Sequence, residues 1–368
     1  MIMIYMKSGG GITLVGKYNI TIKDKKAEYF LCIKRKYTLI TGDSSTGKTR
    51  LYNMLASGRA FVNVSDSSVD ISALPRDSKI YKRLLPAKDP IIYVVDESVT
   101  GINSAEFFKL MKDSNAYFIL MSRKLLAYLD DKKKVHALPL AIDEIYEIEG
   151  NSVNGVYYQD RLVNRYSLKS FSGDIRYILT EDSNSGYKVY SHCYKDAFSY
   201  SSNGNSNILK ELKYICKEYI ASKQNGYVAV FVDGAAYGAY AEMLMSFIGR
   251  SNIPIVVFAP ESFEWLLLQV IPDEDFVRYI DKGILHEIYN YCDEDHFKLL
   301  VGDYSVYDKH HNFESWEQFC TELLIYAMSG SARHKEKGGK VSRAYTKKDT
   351  LPNYYYRFSN EIRQLLEG

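Results

Sequence analysis

The chain has 368 residues, 46% hydrophobic and 25% charged, with a net charge of +2. That composition is globular and leaves room for two domains, and the near-neutral balance excludes a global electrostatic pull toward nucleic acid or a membrane surface. Tyrosine is the outlying count, at 33 residues, and with abundant Lys, Ile, Asn and Ser it reads as the bias of an AT-rich genome, not as an aromatic binding device.

In chain order, Met1 to Met6 is apolar without a basic leader and reads as a strand, not a signal peptide. Gly9-Gly10-Gly11 is a loop, followed by three strands of antiparallel pattern, Ile12–Val15, Tyr18–Ile22 and Glu28–Ile33. Tyr37–Thr41 is β-branched and apolar and reads as a further strand. It feeds Gly42-Asp43-Ser44-Ser45-Thr46-Gly47-Lys48-Thr49, a complete G-x-x-x-x-G-K-[ST] loop with Arg50 behind it. The chemistry needs those residue types. Glycines let backbone N–H groups turn inward around phosphates, Lys48 reaches the β- and γ-phosphates, and the Thr49 hydroxyl ligates Mg²⁺. Lys48 to Ser57 has the makings of a helix whose N-terminus faces the anion.

Ile91–Val95 reads as a buried strand ending at Asp96-Glu97. With the phosphate loop upstream, this is a Walker B pattern: Asp96 holds Mg²⁺ through water and Glu97 orients or deprotonates the attacking water. A third strand, Ala116–Met121, ends in Ser122-Arg123. Ser122 is placed to sense the γ-phosphate; the alternatives are Arg123 acting in trans as an arginine finger, or both residues as the polar start of the next helix. A strand near Ile142–Ile148 closes the pattern.

Residues 10–150 resemble the P-loop ATPases that carry a glutamate beside the Walker B aspartate, and the early antiparallel strands resemble the ATPase heads of the ABC and SMC-like group. The resemblance implies an ATP-binding, hydrolysing domain over 1–150. No LSGGQ-like signature lies between Lys48 and Asp96.

After a linker over 151–173 a second α/β pattern begins. Ile175–Thr180 is a strand ending at Glu181-Asp182-Ser183, Ser199–Asn207 an exposed loop, and Ile208–Ala221 an amphipathic helix. Tyr227–Val232 ends at Asp233, Ala235–Ile248 is helical, Ile253–Ala259 ends at Pro260-Glu261-Ser262, and Phe263–Val270 is helical. Three strand ends therefore carry a carboxylate: Glu181, Asp233 and Glu261. Brought to one sheet edge they suit Mg²⁺ or Mn²⁺ and the activation of water on a phosphodiester; the alternative is helix capping. The stretch 174–272 resembles a Toprim domain, with Glu181 and Asp233 on its first two acidic positions, alanine at 235 where a second aspartate belongs, and Asp182 or Glu261 as substitute ligands. An ATPase followed by such a domain resembles the OLD-family nucleases, many of them in phage defence. This implies an α/β protein in which ATP controls a Mg²⁺-dependent nuclease, with a non-catalytic, partner-binding second domain as the alternative.

The remainder, 273–368, reads as helical. Asp293-Glu294-Asp295-His296 is a second candidate metal cluster or a solvated turn, and His310-His311 reads as surface. The basic stretch Arg333–Lys348, with Tyr345 and Tyr354–Tyr356 beside it, suits a nucleic-acid backbone or a solvated tail. The cysteines, at 32, 193, 216, 292 and 320, show neither zinc nor C-x-x-C spacing and fit reduced thiols. Apolar runs are too short to span a bilayer. A cytoplasmic protein, as a homo-oligomer or in complex with a partner, is expected.

Overall fold

The computed structural model describes residues 7–8, 11–12, 17–43, 46–85, 87, 89–123, 127–129, 135–153, 156–166, 171–183, 185–223, 225–270 and 356–368. The chain is mixed α/β and divides into two compact units, whose described residues are those up to 166 and those from 171 on. Among the described residues no helix is long and apolar enough to cross a membrane.

In the first unit, β1 (Lys7–Ser8) and β2 (Gly11–Ile12) form a small antiparallel pair. β3 (Tyr18–Lys23) and β4 (Glu28–Ile33) are antiparallel as their alternation predicts: every second side chain is buried and the other face meets solvent. β5 (Tyr37–Thr41) leads to α1 (Lys48–Ala56), as expected. Then come β6 (Phe61–Val64), β7 (Asp70–Ala73), α2 (Ser78–Leu84), β8 (Ile91–Asp96), α3 (Ala105–Asp113) and β9 (Tyr117–Met121). β8 and β9 read as unbroken apolar runs because they are buried along almost their whole length. β10 (Ala127–Leu129) and β11 (Val135–Ala137) pair with each other.

β12 (Ile145–Val153) and β13 (Val156–Asn164) are an antiparallel hairpin. The expected linker over 151–173 is thereby corrected: most of residues 151–164 is sheet, and the units divide at 167. The strand expected from Ile142 opens as a 3-10 turn over Ile142–Glu144.

These strands build one nine-stranded sheet in the order β6-β3-β4-β13-β12-β5-β9-β8-β7. From β12 to β7 all neighbours are parallel. β9 lies between β5 and β8, and its last residue, Met121, is in register with both Ile40 and Asp96. The carboxyl ends of the three strands therefore stop at one level, and Gly42, Glu97 and Ser122 follow within one or two residues. Below them Ile20, Ile22, Leu31, Ile40, Leu51, Val94 and Ile119 join one core, with α1 packed on β7 and β8.

The second unit has β14 (Ile175–Thr180), β15 (Phe198–Ser201), β16 (Tyr227–Phe231) and β17 (Ile255–Phe258), all parallel, in the order β15-β14-β16-β17. Its helices are α4 (Ser185–Cys193), α5 (Ile208–Ser222), α6 (Gly238–Ile248), α7 (Phe263–Val270) and α8 (Ser359–Glu367). The start of the expected 199–207 loop is in fact part of edge strand β15. The helix expected from Ala235 begins at Gly238, because Asp233 first closes a turn. α8 packs on α4 and α7 and so belongs to this unit. Phe231 stacks between Tyr190 and Phe258, with centroids 4.2 and 5.0 Å away. The remaining expectations for 273–355, including Asp293–His296, His310-His311 and Arg333–Lys348, lie outside the described residues.

Candidate active site

The carboxyl edge of the first sheet gathers the expected groups. Gly42 and Gly47 hold φ of 113° and 96°, the region that favours glycine. At Gly47 a Cβ would also stand 2.9 Å from the Tyr29 hydroxyl, which donates to the Gly47 carbonyl at 3.2 Å. α1 starts on that glycine. No side chain caps it and its first turn has no acidic residue. α2 and α3, by contrast, are capped by Asp77 and Ser104, which accept from Lys79 and Phe107 N–H. The start of α1 thus lacks the side-chain cap that α2 and α3 have.

Lys48 is buried and donates to Gly42 O at 2.6 Å, Asp43 O at 2.8 Å and Thr46 Oγ1 at 2.9 Å. Burial holds its ammonium below the ordinary lysine value, against the pull of Glu97, Asp43 and Asp96. Thr49 Oγ1 donates to Asp96 Oδ1 at 3.3 Å. Asp96 is buried, and its other oxygen accepts from the Ser98 backbone at 3.2 Å and from the Ser98 hydroxyl. Arg76 lies 3.9 Å from the same oxygen, its guanidinium 4.9 Å over the Tyr52 ring. Glu97 is bound by Arg123, with Nη2 2.7 Å from Oε1 and Nε 3.3 Å from Oε2. Ser122 is buried, and its N–H donates to Ile40 O at 3.2 Å.

Lys48, Thr49, Asp96, Glu97 and Ser122 therefore share one edge. Arg50 does not turn to them: Asp24 takes its guanidinium at 3.0 and 3.1 Å. Ser44 and Ser45 lie outside the described residues. Sequence reasoning missed Tyr29, Arg76, Ser98 and Arg165, the last donating to Thr41 Oγ1 at 3.2 Å. None carries a motif: Ser98 follows Asp96-Glu97 in the chain, and the fold brings the other three here.

No protein-family model, curated protein or solved structure matches the chain. The site's own geometry has to carry the functional reading.

In the second unit Glu181, Asp233 and Glu261 do follow three adjacent strands, held in step by Glu181 N–H to Phe231 O and Ala235 N–H to Glu261 O. Among the described residues, however, no group of three or more His, Cys, Asp or Glu is placed to hold a metal ion. Asp182 accepts from Gly186 and Tyr187 N–H at 3.0 and 2.8 Å, the helix-capping alternative. Asp233 Oδ1 accepts from Ala235 N–H at 3.1 Å. Cys32, Cys193 and Cys216 are free thiols.

Proposed function

We propose that the first unit binds ATP with Mg²⁺ and hydrolyses it. The observation that carries this is the 3.3 Å contact from Thr49 to Asp96, which joins the two motifs that a nucleotide-bound cation requires. Thr49 and Asp96 would hold the Mg²⁺, which would supply positive charge to offset the charge that develops on the phosphates. Lys48 trades its loop carbonyls for phosphate oxygens, and the N-terminal amides of α1 take the rest. Glu97 accepts the proton of a water whose oxygen attacks the γ-phosphorus, the bond to the β-phosphate oxygen breaks, and ADP and phosphate leave. Ser122, at the end of the strand between the two motifs, reports on the γ-phosphate.

The test uses the full chain. Lys48→Ala should strongly weaken binding of a fluorescent ATP analogue, and Glu97→Gln should keep binding while slowing phosphate release. Unchanged turnover in the second variant would remove Glu97 from the mechanism.

For the second unit the reading is an output that ATP controls. The carboxylates Glu181 and Asp233 flank the point where the chain reverses direction across the β15-β14-β16-β17 sheet, which is where open α/β sheets bind ligands. That supports a Mg²⁺-dependent, Toprim-like nuclease. The caps made by Asp182 and Asp233 favour the alternative, a module that binds a partner. Incubation with DNA and RNA plus Mg²⁺ or Mn²⁺ separates them: identical behaviour of wild type and Asp233→Ala on every substrate would leave the second.

A further inference from the structure

Arg123 takes both oxygens of Glu97 side-on, so the lone pairs that would receive a water's proton face a guanidinium instead. The residue is anchored where the nucleotide reading puts phosphate. Its neighbour Ser122 is tied to Ile40 on β5, two residues before Gly42. Its charge is felt by Lys48, and it feels in turn the charge of Asp43 in the loop. The pair is half-exposed, 51% and 39% at the two side chains, and an ion pair of that kind is held weakly. A guanidinium fork fits phosphate oxygens as well as it fits a carboxylate.

On the ATP reading above, we propose that Arg123 works in cis as a reader of the terminal phosphate: it holds Glu97 until a triphosphate arrives, then passes to the γ-phosphate and releases Glu97 to the water. ADP offers no such phosphate and leaves the pair closed. The base is therefore freed only when there is a bond to cleave. Because carboxylate and guanidinium belong to one chain, the exchange needs no second copy. Arg123 is a positioning residue toward Glu97 and a binding residue toward the nucleotide.

The experiment measures affinities for Mg²⁺·ATPγS and Mg²⁺·ADP in the full chain for wild type, Arg123→Ala, Glu97→Gln and the double variant. Arg123→Ala should keep ADP affinity, which also shows that it folds, and lose roughly ten-fold in preference for ATPγS. Glu97→Gln, which loosens the competing pair, should raise that preference by roughly three-fold or more, and the double variant should lose this gain. An unchanged ATPγS-to-ADP ratio in Arg123→Ala, or a Glu97→Gln gain that survives without Arg123, overturns the proposal. Neither outcome touches the nucleotide reading, which stands as long as wild type binds ADP and Lys48→Ala binds it far more weakly. Wild type that binds neither nucleotide overturns both.

Discussion

Both units end parallel strands in acidic residues, yet the two edges use them differently. At the first edge Asp96 and Glu97 reach across the sheet, to Thr49 on α1 and to Arg123 beyond β9, and Asp96 adds a local bond to Ser98 with its other oxygen. At the second edge Asp182 and Asp233 bend back onto amides two to five residues along their own chain. A strand-end carboxylate spent on local amides does the work of a turn or cap. One that meets a hydroxyl or a cation from another element is arranged for a shared ligand. The residue type is the same, and what separates the two cases is a partner distant in sequence beside any local one, as Thr49 stands beside Ser98 at Asp96.

Variants that break the contrast should differ most in nucleotide binding. Lys48→Ala is expected to weaken Mg²⁺·ATP by roughly 100-fold or more, read by fluorescence titration, while Asp233→Ala leaves that affinity unchanged. Next in size is a pH effect at the opposite end of β5. Glu144 is fully buried, accepts from Thr38 Oγ1 at 2.7 Å and has no partner for its other oxygen. Burial pushes its carboxyl up to about 8, outweighing the Thr38 hydrogen bond. A carboxyl raised in the folded state keeps its proton there after the unfolded chain has lost it. Its contribution is therefore complete below about 4.5 and lost as pH rises toward about 8. The loss is of the order of a few kcal/mol. Glu144→Gln should flatten that fall in thermal melts, and an unchanged pH slope would refute the assignment.

Gly47→Ala should cost roughly 1–2 kcal/mol of stability from its positive φ and the Tyr29 hydroxyl. In a Tyr29→Phe background the nearest atom to that Cβ is a ring carbon at 3.7 Å, so the same substitution should cost less there. Equal costs in both backgrounds would deny the clash. The smallest effect is Asp182→Ala, about 1 kcal/mol through the lost cap, seen as a small drop in Tm. Loss of a Mn²⁺-dependent activity in that variant would instead make Asp182 a ligand and erase the contrast.

Much of this was legible in the sequence for physical reasons. The strands leading to Thr41, Asp96 and Met121 are continuous apolar runs, and a loop that must wrap phosphate admits few residue types. Of the hairpin Ile145–Asn164 only the start is legible, as the strand near Ile142–Ile148; the rest is not, because polar residues such as Gln159, Asp160 and Arg161 mask the alternation, and the Asn154-Gly155 pair is the available signal. The short strands Phe61–Val64 and Asp70–Ala73 and the helices Ser78–Leu84 and Ala105–Asp113 were missed as brief segments with weak period. Within the site the motif residues were readable. Arg76 and the binding of Glu97 by Arg123 were not, since both depend on which strands lie side by side.

The hairpin β12–β13 also sets a schedule. β5 ends at Thr41, but its outer neighbour begins at Ile145, and β4 waits for Asp160 and Arg161. On the ribosome the strand that feeds the phosphate loop is made early and stays open on one flank until more than a hundred further residues have emerged. Closure across that span is slow, and the waiting edge is an aggregation hazard. The proposed nucleotide site is written in the first strands of the first unit but completed only as that unit's last strands arrive.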